Sequence, residues 1–413
     1  MVRFFHGLFA LTAAFLPGVG QALEANLSLR VAPEFQQGRH ASPYYINADA
    51  TRIDAATSRQ DLELKLREGG FFAQGALRMN LAEGGEVKTQ GITQQIFYDG
   101  KFGQGFGWTV GRKVLSWGVG FALRPLDVVQ RENRRDVNPP ALTGVTLAAL
   151  EHFTANQAWT LAWLNPGAGR DDADHKDEAI ALRWYRFADN DDLHAVARIS
   201  RERQFEAGFG ATRVLDDEWS FYGAALYSRR YYKTLNPLAE THESGELFAL
   251  KNPRYRIAKG HSNKIVLGAQ WTGRSGWSAL AEAFYDGEAY RRSEWRHLDA
   301  LTQRQRAAAA AVPALLREAN AGWSSQAYLN PNLLRENVLL RVSYDNGDGF
   351  KPYGEMLLTP TDGGRVATLG ARYVGDRQEF SAGWRNIGGP DDSVYKRSPV
   401  RNIFWLEWRL AIF

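Results

Sequence analysis

The stretch "RNIFWLEWRLAIF", residues 401–413, decides how this chain is read. Taken with a period of two, Phe404, Leu406, Trp408, Leu410 and Ile412 fall on one face. Asn402 lies one step earlier on that face and marks where the apolar run begins. The other face carries Glu407 and Arg409 between Trp405 and Ala411. One apolar face and one charged face suit a strand with lipid on one side and water on the other. Chain ends are ordinarily polar and frayed, so this aromatic end calls for a structural reason. Phe413 departs from the pattern, because its parity is that of the charged face. A bulge or a frayed end would reconcile it.

The same theme recurs from Leu23 onward: about ten residues of alternation, then a turn or loop, as a tilted spanning strand requires. Strands are predicted near 25–34, 59–68, 71–81, 89–99, 105–115, 144–154, 158–165, 178–188, 192–201, 205–215, 219–231, 262–272, 277–287, 335–345, 350–359, 365–374, 378–387 and 402–413. That is about eighteen. Every second connection is short and rich in Gly, Asn and Asp, such as "EGG", "ADNDD", "LDDE" and "DNGDG". These residues supply the positive φ of tight hairpins. The other set holds all the long connections, roughly 35–58, 116–143, 166–177, 232–261, 288–334 and 388–401. Segregated loop lengths and an even strand number predict an all-β fold: a closed, antiparallel transmembrane β-barrel with long external loops and short periplasmic turns.

Apolar side chains must then face lipid, because a charge there costs up to a few kcal/mol near the midplane. The alternation places Lys65, Arg67, Arg78, Arg183, Arg198, Arg341, Arg372, Arg385 and Arg409 inside, with Glu63, Glu282, Glu355, Glu379 and Glu407. Arginine offers a planar, permanently charged fork for carboxylates and phosphates, so these residues are candidates for an anion path. Pairing of Arg with Glu across strands, which stabilises the wall, is the other reading of the same residues. Trp108, Trp159, Trp219, Trp277 and Tyr344 lie near strand ends, where aromatic girdles sit.

Bulk properties agree. The chain has 413 residues, 44% hydrophobic and 23% charged, with a net charge of +4. Beyond the N-terminus it has no run of about 18 apolar residues, so no ordinary spanning helix is expected. The modest charge and the lack of a recognisable motif argue against nucleic acid as a partner. With no cysteine, disulfides, thiol catalysis and cysteine metal sites are excluded. Arg3, the apolar run Gly7–Leu16 and the small residues Gly20 and Ala22 read as a secretory signal peptide over 1–22, leaving 23–413 as the barrel.

An eighteen-strand ring is wide enough for an aqueous channel, so something must narrow it. Two loops are candidates. The first spans 117–142 and carries Arg124, Asp127, Arg131, Arg134 and Arg135. The second, 293–322, reads as helix through Ala307–Ala311, with Pro313 set to kink or divide it. Either folds inward as a gate or stays outside as a cap.

Around the first loop, Gly111-Arg112 ends a strand, Trp117-Gly118 and Gly120 follow, and Arg124-Pro125 opens a loop. This stretch resembles the porin and alginate-export type of bacterial outer-membrane barrel. The resemblance implies an eighteen-strand barrel with an arginine-rich lumen, narrowed by loops, in the outer membrane of a Gram-negative bacterium. It also implies contact with outer-membrane lipid and lipopolysaccharide, and a terminal Phe read by the barrel-assembly machinery.

Other motifs add little. "DDADHKD" (171–177) has carboxylates for a hard cation but lacks the EF-hand spacing, and a solvated loop is the simpler reading. "GKFGQGFG" lacks the Lys-Ser/Thr of a phosphate loop. Glu151 and His152 are adjacent and point to opposite faces, and neither GxSxG nor HExxH occurs. Neither an enzyme nor a bound cofactor or metal is expected. The residues point to a passive channel or export pore for hydrophilic, anionic solutes such as acidic saccharides. A structural or adhesive barrel with a plugged lumen is the alternative, and an outer-membrane hydrolase a more distant one.

Overall fold

The computed structural model describes residues 23–46, 53, 56–82, 87–130, 132, 136, 137, 139, 141–166, 177–240, 246–308 and 312–413. The signal segment, Arg131, Arg134, Arg135, the acidic residues 171–174, His175 and Ala309–Ala311 lie outside them.

Eighteen strands form one antiparallel sheet. They are β1 (Glu24–Gly38), β2 (Ala56–Glu68), β3 (Phe71–Ala82), β4 (Val87–Phe102), β5 (Phe106–Lys113), β6 (Val145–Phe153), β7 (Gln157–Leu164), β8 (Ala179–Ala188), β9 (Asp191–Ser200), β10 (Gln204–Val214), β11 (Trp219–Ser228), β14 (Ser262–Thr272), β15 (Trp277–Asp286), β16 (Glu336–Tyr344), β17 (Phe350–Thr359), β18 (Gly364–Val374), β19 (Gln378–Gly388) and β20 (Val400–Ala411). Each predicted strand corresponds to one of these. Two five-residue strands, β12 (Tyr231–Leu235) and β13 (Tyr255–Lys259), pair with each other inside a long connection and do not join the ring. They lie in a stretch predicted as a long connection, because five residues carry too little alternation to stand out.

β20 pairs with β1 from Ser28↔Ala411 to Gly38↔Val400 and closes the ring. Among the described residues the eighteen-strand ring has no unpaired edge strand. At the end of this seam the Ile412 amide donates to the Leu27 carbonyl at 2.8 Å, and the Leu27 amide donates to the Phe413 carbonyl at 3.0 Å. Two residues thus oppose one, the pattern of a bulge, which re-aims the side chain at its own position. Ile412 and Phe413 are both exposed. The chain ends on an apolar strand because that strand is the closing stave. Asn402 terminates the apolar stripe by accepting from Trp384 Nε1 at 3.1 Å and Asn386 Nδ2 at 2.8 Å, and by donating to Gln37 at 2.6 Å.

The outer face is apolar along every sector. Leu77, Val110, Leu161, Ile199, Leu267, Leu340, Leu369 and Leu406 are all large, apolar and exposed. Aromatic pairs ring the short-turn end: Tyr98 with Trp108, Trp159 with Trp184, Trp277 with Tyr344, and Phe380 with Trp408. Leu406 lies midway along β20. Leu406→Arg is therefore expected to destabilise the barrel by about 2–4 kcal/mol, measured as a shift in denaturant unfolding in lipid vesicles.

The long connections meet at the opposite end and build a cap whose core is continuous with that of the barrel interior. Helices α1 (Pro237–Glu240), α2 (Arg292–Ala307), α3 (Ala314–Ser325) and α4 (Val394–Arg397) lie there. Pro313 divides the predicted helical stretch, standing at the N-cap of α3. Tyr44, Trp295 and Tyr328 pack ring on ring, and Trp295 Nε1 donates to the Leu333 carbonyl at 2.6 Å. The 293–322 segment thus packs among the other long connections. Asp299 accepts from the Tyr44 hydroxyl at 2.6 Å and pairs with Arg397 at 2.7 Å. Burial pushes its carboxyl up, against the pull of Tyr44 and Arg397. The Lys233 ammonium, bonded to Glu294 at 2.5 Å, is pushed down by burial.

Candidate functional site

The registers fix which side chains face inward. The ladder matches Glu63 to Ser28, Arg198 to Glu206, Glu282 to Gly268, Arg341 to Glu355 and Arg385 to Thr368. All nine basic residues assigned inward by alternation share the inward parity of their strands. What they do there differs by sector.

From β6 to β16 the inward wall carries a buried apolar band, with Leu147, Ala149, Ala162, Leu164, Ala181, Val196, Leu226, Val266 and Leu339, beside buried charges such as Arg198, Glu206, Lys264, Glu282 and Asp286. The alternation singles out the charged residues of the interior, and the apolar band lies among them. The band is buried by the connection between β5 and β6, which folds into the barrel and covers that wall. Trp117, Leu123, Leu126, Val128 and Val129 of this loop join the wall residues in one core. Gly208 and Gly210 make the seat: a Cβ at either would lie 2.6 or 3.0 Å from the Leu126 methyls.

Backbone bonds hold the loop across the barrel. Glu282 of β15 accepts from the amides of Phe121, Ala122 and Leu123 at 2.6, 2.9 and 3.1 Å, and from the Tyr222 hydroxyl at 2.7 Å. On the opposite side Arg30 of β1 donates to the Pro139 carbonyl at 2.8 Å. Within the loop Asp127 accepts from the amides of Trp117 and Gly118, both at 2.6 Å. Burial pushes its carboxyl up, and those two amides pull it back down. Arg124 donates to the Gly120 carbonyl at 3.0 Å and to Ser116 at 2.7 Å. Arg124 and Asp127 therefore shape the loop itself.

The remaining sector, β17 through β20 and β1 through β5, keeps a charged face. At mid-height on the seam, Arg30 bonds Glu407 at 2.5 Å and lies 3.8 Å from Asp61, which pairs with Arg78 at 2.7 Å. Arg409 also pairs with Glu407. Arg59 and Glu34 share the inward parity of this cluster, paired in register with Ala32 and Thr57. Alternation alone does not single out Arg30, Arg59 or Asp61, because each reads as one more inward charge until its partner on the neighbouring strand is known. Further round, Arg341 pairs with Glu355 at 3.1 Å and stacks over Tyr353 and over Phe121 of the inserted loop, at 4.1 and 5.2 Å. Arg372 pairs with Glu379 at 2.7 Å, Lys65 with Glu63 at 3.2 Å, and Arg385 donates to Thr368 at 2.9 Å. Arg67 lies 5.6 Å from the Phe72 ring, and Arg183 5.5 Å from that of Tyr185.

Arg198 stands apart. It is 4% exposed, bonded to Glu206 at 2.6 Å and to Asp177 at 3.4 Å. It is enclosed in a buried ion network, not open to a path. Asp177, the last acid of "DDADHKD", belongs to that network. Arg198→Met removes the cation that buried Asp177 and Glu206 share, leaving Glu206 with Arg203 at 3.7 Å, and is expected to cost about 3–5 kcal/mol, read by denaturant titration. Arg112, the arginine of the Gly-Arg pair, shares the outward parity of Trp108 and Val110 and bonds the Thr93 carbonyl at 3.4 Å. His152 stacks on Phe106 with centroids 4.4 Å apart, on the face away from Glu151.

No protein-family model matches this chain, and no curated protein matches it. Solved structures do. OccK5 (OpdH) of Pseudomonas aeruginosa is 11% identical, with a TM-score of 0.53 over 95% of this chain and 98% of its own. A triple mutant of the Rh. blastica porin is 10% identical, with a TM-score of 0.44 over 95% of this chain and 100% of its own. The first likeness shows the barrel fold.

Proposed function

We infer that this chain is a passive outer-membrane channel for hydrophilic solutes, with a preference for anionic ones such as acidic saccharides. The observation that carries this reading is the divided lumen: a loop packed on one wall, facing a charged wall on the other. A solute would pass between them. At the seam, Arg30, Arg59, Arg78 and Arg409 face Glu34, Asp61 and Glu407, four cations against three anions. Arg30, Arg78 and Arg409 are paired and hold the wall, and with Arg59 beside them they still bias the field in a low-dielectric passage. Their work is to concentrate and align solute at a narrow point, with no bond made or broken. A channel needs no nucleophile or general base, and the adjacent Glu151 and His152 point to opposite sides of β6.

The apolar exterior with its aromatic ring suits an outer membrane, with the short turns in the periplasm and the cap outside. A signal peptide over 1–22 would bring the chain there, lipid and lipopolysaccharide would surround it, and the assembly machinery would receive the terminal strand. The alginate-export reading rests on the motif from Gly111 to Pro125. Its two arginines serve elsewhere here, Arg112 outward and Arg124 within the loop, so alginate is one acidic polymer among several to try.

Liposome swelling tests the function. Vesicles holding the refolded chain are expected to admit glucuronate and galacturonate faster than glucose and galactose. Equal rates would remove the anion preference; no entry of any sugar would favour a plugged structural barrel.

A further inference from the structure

We propose that Glu282 is a latch: its carboxylate is the built-in ligand of an anion-binding nest in the inserted loop, and releasing it frees the loop and widens the lumen. Gly120, at a φ of +118°, takes the backbone into the left-handed region just before the nest. The next three amides, of Phe121, Ala122 and Leu123, then converge on one carboxylate. Successive amides turned to one point form a concavity for an anion. The carboxylate that fills it is 1% exposed, and its partners are three amides and the Tyr222 phenol, none of them a cation.

This one carboxylate sets the register of the loop tip. The other contacts of the tip are mostly apolar, as where Leu126 rests on Gly208 and Gly210. Apolar contact is non-directional and tolerates sliding. Hydrogen bonds to a charged acceptor are directional and among the stronger ones in a protein. Arg30 holds the far part of the loop at Pro139, so losing Glu282 frees the tip while the ends stay tied. A solute carboxylate arriving beside the loop has the chemistry to compete for the same three amides. The channel reading above is assumed for the effect on the lumen, but the latch itself can be read without it.

The chain has no cysteine, so Leu126→Cys supplies its one thiol, at a position that is fully buried. In the otherwise unaltered barrel that thiol is expected to resist a water-soluble maleimide. Adding Glu282→Gln replaces one acceptor oxygen by a donor, and labelling is expected to quicken about tenfold or more. Tyr222→Phe keeps all three amide bonds and is expected to change labelling little. With Glu282→Ala, millimolar acetate should occupy the vacated nest and restore protection, where chloride at equal ionic strength does not. Heat-modified electrophoretic mobility verifies that each variant has closed its barrel. A thiol that stays protected in the Glu282→Gln barrel, or acetate without effect on Glu282→Ala, would overturn the latch. Faster labelling with unchanged conductance would support the latch and count against the channel reading.

Discussion

Replacing residues 118–130 with a short glycine–serine linker is expected to raise single-channel conductance several-fold. The ring of eighteen strands is closed by its own backbone ladder from β1 to β20, so the loop is not needed to hold it together. A ring of this size encloses an aqueous channel when nothing occupies it. The loop occupies it by crossing from β5 to Glu282 on β15 and returning past Arg30 on β1. Current scales with the open cross-section, and the loop covers the apolar band from β6 to β16. Its removal exposes that band to water, which costs stability, but the mixed wall opposite is untouched. Planar-bilayer recording checks the result. Unchanged conductance in a barrel of normal mobility would mean that the restriction lies in the cap.

The second large effect concerns charge. If the passage favours anions as proposed, neutralising Arg30, Arg59 and Arg78 together to Gln is expected to turn its preference to cations. Four arginines face Glu34, Asp61 and Glu407 at the seam, a local charge of +1. Removing three cations leaves Arg409 against three carboxylates, a local charge of −2. The passage is narrow and its walls are of low dielectric, so the sign of that charge governs which ion enters. The reversal potential under a salt gradient should change sign. Conversion of the outlying Arg372 alone should move it far less, because Arg372 is half exposed to bulk water near the short-turn rim. A reversal potential that ignores the triple change would place the selective step elsewhere.

Much of this architecture can be seen in the chain before it folds. Lipid on one side and water on the other impose a period of two, and Leu62, Leu64 and Leu66 against Glu63, Lys65 and Arg67 display it directly. Turn residues show where each hairpin reverses, and loop length shows which end is which. The inward parity of the nine basic residues follows from the same alternation. The interior arrangement is less visible, for physical reasons. Backbone amides hold the loop tip, and every residue but proline carries one, so Phe121 to Leu123 leave no mark. Their acceptor Glu282 is about 160 residues away and reads as one more luminal acid. Gly208 and Gly210 look like ordinary strand glycines until Leu126 is set above them. The seam cluster joins β20 to β1, β2 and β3, and Glu407 and Arg409 reach it only when the ring closes. The fate of Arg198 is the same lesson: its parity is that of its luminal neighbours, and its enclosure depends on Asp177 and Glu206.

The most direct test of the account is the single-channel current and reversal potential of the refolded residues 23–413 in a planar bilayer under a salt gradient. The account predicts small, stable conductance steps and a reversal potential on the anion-selective side. Absence of any conductance from a correctly folded barrel, or a reversal potential on the cation-selective side, would contradict it.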